Sequence, residues 1–69
     1  MVPEYQVGDL IKFYPYRAPV PGIPDIGLVI ESRIMTHEER NYKYEVVRVK
    51  FGDREFTLPA VDFKLVKRV

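Results

Sequence analysis

Apolar side chains recur at every second position in several short stretches of this chain, the spacing that places them on one face of an extended strand. The first stretch is Asp9-Leu10-Ile11-Lys12-Phe13-Tyr14, with Ile11 and Phe13 on a common face and Gly8-Asp9 as its entry turn. Gly27 to Met35 is the second, with Leu28, Ile30, Ser32 and Ile34 on one side and Val29, Glu31, Arg33 and Met35 on the other. Val29 breaks that division, which predicts a bulge or two-sided burial near the start of the strand. The third, Tyr42 to Phe51, carries two apolar phases, Tyr42, Tyr44 and Val46 and then Val47, Val49 and Phe51, so a bulge or bend is expected within it. Gly52-Asp53 signals a tight hairpin into Arg54 to Leu58. Pro59 to Asp62 reads as a short turn of 3₁₀ type before a last strand, Phe63 to Val66.

Between the first two strands, Pro15 to Asp25 holds Pro15, Pro19, Pro21 and Pro24 together with Gly22. Proline fixes φ and removes a backbone donor, so this segment is a long, stiff loop. Thr36 to Asn41 is polar and connects the second and third strands as a turn or a single helical turn. No window sustains apolar spacing at three and four residues, so no regular helix longer than about two turns is expected. Five short strands in one small chain favour a closed or nearly closed barrel, because closure removes exposed edges. The fold class is therefore all-β, a single domain over residues 1–69.

Composition sharpens this picture. With 69 residues and no cysteine, the chain has no disulfide or thiolate-metal staple, and apolar packing must supply its stability. Hydrophobic residues at 46% and aromatics at 13% permit a sound core. Eleven basic and ten acidic residues, interspersed, give a net charge of +1, which names no polyanionic partner. No apolar run approaches a membrane span and no leader pattern is evident, so a cytoplasmic protein is expected, or one made in a host cytoplasm if virus-encoded.

The order Gly8-Asp9-Leu10-Ile11-Lys12-Phe13, Gly27-Leu28-Val29-Ile30, Val47-Arg48-Val49-Lys50-Phe51-Gly52-Asp53 and Val61-Asp62-Phe63-Lys64-Leu65-Val66 resembles the layout of SH3-like small β-barrels. Within that superfamily the chain is most similar to small free-standing barrels, such as phage-encoded proteins of unknown function and the photosystem I reaction-centre subunit IV type. Tudor-like and KOW-like domains share the layout. The resemblance implies a five-stranded SH3-like barrel with a long Pro-rich loop between strands 1 and 2; it specifies fold better than function.

No catalytic constellation emerges. His37 is the only histidine and has neither a second histidine nor a cysteine to complete a zinc site; Ser32, the only serine, lies in mid-strand without a base beside it; and the four glycines are isolated. No enzyme activity, no cofactor and no metal are expected. The tyrosines are more informative: Tyr5, Tyr14, Tyr16, Tyr42 and Tyr44 exceed what a core already holding Ile11, Phe13, Val29, Val47, Val49, Phe51, Phe56, Phe63 and Leu65 can absorb. Tyr14 and Tyr16 flank the Pro-rich loop and, with Arg17, Pro19, Pro21 and Pro24, form the expected protein-contact set, either as an interface or as a satellite core packed on the prolines. A second reading puts nucleic acid on Tyr42, Lys43, Arg48 and Lys50, which combine rings with positive charge. An open strand edge would also permit homo-oligomers.

Overall fold

The computed structural model describes residues 2–68. Five strands form one antiparallel sheet: β1 (Leu10–Phe13), β2 (Gly27–Thr36), β3 (Lys43–Phe51), β4 (Arg54–Pro59) and β5 (Phe63–Lys67), in spatial order β4-β3-β2-β1-β5. Two short 3₁₀ turns, Pro15–Arg17 and Ala60–Asp62, lie after β1 and before β5. Each connection fits its sequence signal. The β3–β4 hairpin turns at Gly52, whose φ of 62° at the first central position is that of a type II′ turn and pairs Phe51 with Arg54. The β2–β3 loop is closed by His37, whose N–H donates to the Tyr42 carbonyl at 2.8 Å and whose Nδ1 accepts from the Arg40 N–H at 3.2 Å.

Register locates the bulge anticipated near Val29: pairing with β3 slips between Val29 and Glu31. Val29 is therefore inward before the slip, and Ser32 and Ile34 are the less exposed residues after it. The bulge that would change the phase inside β3 is absent from its pairing with β4. That pairing runs without a shift from Val46 to Phe51, and the inward face of β3 is continuous through Glu45, Val47, Val49 and Phe51. The apparent change of phase arises because an acidic residue, Glu45, occupies an inward position, while Tyr44 and Val46 face the other way.

All four phenylalanines meet on the inward side. Phe13 lies 4.6 Å from Phe63, 5.0 Å from Phe51 and 5.7 Å from Phe56, centroid to centroid. β1 and β4 stand three places apart in the sheet, about 14 Å if it were flat. Ring contact between them requires the sheet to curl over its own core. Ile11, Val29, Val47, Val49, Phe51 and Phe63 are buried as expected, joined by Tyr5 and Ala60, while Phe56 is half-buried against them. Leu65, expected in the core, is 39% exposed. It stands two pairs beyond Phe63, opposite Ile11, on an edge strand that no further strand covers among the described residues. Curling stops short of backbone closure: β4 pairs only with β3 and β5 only with β1, so two edges stay open among the described residues.

Candidate functional site

The Pro-rich loop is fixed at both ends and along its length. At its start, Tyr14 donates its N–H to the Asp62 carbonyl at 3.2 Å, Arg17 donates its N–H to the Tyr14 carbonyl at 2.8 Å, and Arg17 Nη1 pairs with Asp62 Oδ1 at 2.8 Å. These bonds lock the first 3₁₀ turn against the second. Farther along, Ile23 packs against the core, and the ring of Pro24 lies beside Gly52 in the β3–β4 hairpin. Proline at four places limits what the intervening backbone can do. The loop is thus a shaped surface rather than a tether.

On that surface Tyr14 and Tyr16 stack with centroids 6.1 Å apart and planes 20° from parallel, and the Arg17 guanidinium lies 5.6 Å from the Tyr16 ring centre. Tyr16 is 78% exposed and Tyr14 37%. Pro19, Pro21 and Pro24 are exposed as well. The two rings therefore pack on each other and on a cation, outside the core. A cleft of about 630 Å³ opens beside them, lined by Tyr14, Val20, Pro21, Ile23, Pro24 and Ile26, with Lys12 and Lys64 also in its wall and Asp25 its one acid. Lys12 and Lys64 are directly opposed across the β1–β5 ladder, both exposed, and neither enters an ion pair among the described residues.

The second set, Tyr42, Lys43, Arg48 and Lys50, is not gathered into one place. Tyr42 and Lys43 sit at the loop end of β3 and Lys50 near the opposite hairpin, about 23 Å along an extended strand from Lys43. Arg48 is already held by Glu55, at 2.8 Å and 2.9 Å to the same oxygen, and stands opposite Glu31. Tyr42 instead stacks on His37 at 4.9 Å and leans on Tyr44 at 5.9 Å, beside a second open depression of about 630 Å³ walled partly by Glu4, Pro59 and Val61. Among the described residues, no three His, Asp or Glu side chains come together as metal ligands.

Two buried carboxyl groups lay outside the residues that the sequence singled out. Glu45, 5% exposed, accepts from the Glu4 N–H at 2.7 Å, the Tyr5 N–H at 2.9 Å and the Ser32 hydroxyl at 2.7 Å. Asp9, 2% exposed, accepts from the Gln6 N–H at 2.9 Å and from the Arg68 guanidinium at 3.0 Å, and Arg68 also donates to the Glu4 carbonyl. The Arg68 hydrogen bonds hold the Asp9 carboxyl below its ordinary range, outweighing burial, which acts the other way. Tyr5 donates its hydroxyl to the Phe63 carbonyl at 3.0 Å, and burial, with Glu4 nearby, pushes its phenol up to about 12. Each of these groups satisfies a backbone or fixes a chain end, so their chemistry is structural. The signal that could have found Glu45 was its parity with Val47, Val49 and Phe51. Among the described residues no helix is long and apolar enough to cross a membrane. No known protein family, curated protein or solved structure matches this chain.

Proposed function

We propose that this chain is a non-catalytic, cytosolic protein-binding or assembly module of the SH3-like barrel type, docking a protein partner through Tyr14, Tyr16, Arg17, Pro19, Pro21 and Pro24. One observation carries the reading: two tyrosines stacked on each other at the surface, on a turn bolted to the body by the Arg17–Asp62 pair, beside an apolar cleft. A tyrosine offers a large contact area with few rotors to freeze, and a loop already held in shape loses little further entropy when it binds. The curled sheet supports the barrel reading, since rings on β1 and β4 meet across it, as does the count of five strands with the Pro-rich loop between β1 and β2.

The test is partner retention from the native host by wild type and by a Tyr14→Ser/Tyr16→Ser variant. The double change should abolish retention and leave thermal unfolding close to wild type, because neither ring belongs to the core. Charge reversal at Lys43 and Lys50 should leave retention intact, and binding should depend weakly on salt. Loss of retention on the lysine changes, with a steep salt dependence and indifference to the tyrosines, would replace this reading with nucleic-acid binding.

A further inference from the structure

Lys12 and Lys64 face one another at a single rung of the β1–β5 ladder. Directly opposed residues have Cβ atoms only about 5 Å apart, and like charges in that relation destabilise the sheet. Four arginines on this surface have acidic partners, Arg17 with Asp62, Arg48 with Glu55, Arg33 with Glu31 and Arg68 with Asp9, whereas the other basic residues enter no ion pair among the described residues. Lys12 and Lys64 differ from those in being directly opposed to each other. Both line the cleft under the Pro-rich loop. An uncompensated cation pair in the wall of an apolar concavity is a place where an incoming anion gains twice, from two ammonium groups and from the repulsion it relieves.

We infer that the cleft takes an extended acidic peptide segment of the protein partner, an Asp or Glu carboxylate meeting Lys12 and Lys64 while the apolar or prolyl residues beside it lie on Ile23, Pro24 and Ile26. This rests on the reading of the loop as a protein-contact surface and names the chemistry that the surface selects. The volume of about 630 Å³ suits a few side chains, within the ordinary span of ligand clefts. A peptide fits better than a nucleic-acid strand for two reasons. The exposed lining is chiefly aliphatic and prolyl, and Tyr14, its one exposed ring, is covered on one side by Tyr16, so a strand of successive bases finds few faces there to stack on. Asp25 in the same lining would oppose a run of phosphates but tolerates one carboxylate placed at the lysines.

The test pans a displayed random-peptide library against the full chain and measures the enriched peptides, alongside a poly-dT oligonucleotide, by fluorescence anisotropy. Enriched sequences should carry Asp or Glu next to Pro, Leu, Ile or Val. Lys12→Gln, Lys64→Gln and exchange of the peptide's acid for its amide should each weaken binding about tenfold or more, the scale of one charge-assisted hydrogen bond. Lys12→Glu, which supplies Lys64 with an internal partner, should raise the thermal midpoint and abolish peptide binding. A lowered midpoint would show that the pair is not repulsive and would overturn the argument. Peptides enriched without acids and indifferent to both lysines, yet lost with Tyr14→Ser/Tyr16→Ser, would overturn the acidic specificity and leave the loop's binding role standing. No enrichment, or lysine-dependent binding of the oligonucleotide alone, would overturn both.

Discussion

Gly27 opens β2 directly beneath the ring of Phe51, and its lack of a side chain is what lets the sheet curl there. A Cβ at this position would stand 2.6 Å from Cζ and 2.7 Å from Cε2 of Phe51. That ring cannot step aside, since Phe13, Phe56 and Phe63 pack around it and it is 1% exposed. Gly27→Ala should therefore destabilise by about 1–3 kcal/mol through overpacking, although alanine generally suits a strand at least as well as glycine. Urea unfolding reads this directly, and an unchanged midpoint would show that β2 can move off the ring. The same contact explains why Gly27-Leu28-Val29 starts a strand so abruptly after a stiff loop: the backbone has to pass close before any side chain can point inward.

At the scale of elements, the segment from Glu4 to Asp9 acts as a strap although it is not itself a strand. The Gly8 N–H donates to the Val29 carbonyl, the Val29 N–H to the Asp9 carbonyl, and the Glu4 and Tyr5 N–H groups to Glu45. Tyr5 then reaches β5 through its hydroxyl, joining the strap to the far edge of the sheet. Its phenol ionises near 10.0 when free and at about 12 when folded, so the unfolded chain sheds this proton first as pH rises. The contribution is whole below about pH 10 and is lost toward pH 12. Stability of wild type should fall across that interval more steeply than that of Tyr5→Phe, and the latest phase of the phenol absorbance titration should vanish in the variant; parallel slopes would place the hydroxyl in water. The strands and turns were legible in the sequence because their causes are local: alternation, Gly52-Asp53, the prolines. The strap was not, because its bonds to the sheet reach far along the chain, from Asp9 to Val29 at the least and across 58 residues from Tyr5 to Phe63 at the most. The role of Glu45 was hidden for the same reason, since its backbone donors arrive from a segment whose own pattern predicts nothing. That some tyrosines lie outside the core followed from counting what the core could hold, but which ones did not, and the Lys12–Lys64 rung depends on register, which composition does not encode.

Among the described residues the molecule is a single curled sheet with two open edges, and its two ends are joined by side chains rather than by a ladder. Asp9, at the entry to β1, and Arg68, just beyond β5, are 59 residues apart in sequence and 3.0 Å apart in space. The same guanidinium holds the Glu4 carbonyl, so one residue ties the strap, the first strand and the chain end together. Asp9 is buried while Arg68 is half-exposed, an arrangement in which losing the cation strands a carboxylate away from water. Because Arg68 depresses the folded carboxyl below its ordinary 3.8, the clasp stabilises fully above that pH and is lost as pH falls through the lower, folded value. Arg68→Met should therefore lower the urea midpoint at neutral pH, because a buried carboxylate is deprived of its charged donor. The gap between wild type and variant should close as acid protonates Asp9 in both. Urea unfolding from neutral pH down to about pH 2 measures it, below the carboxylate range where the two curves should converge. A gap that persists unchanged into acid would mean that Arg68 acts through its contact with the Glu4 carbonyl, and that the ends of this sheet are held by backbone bonding rather than by charge.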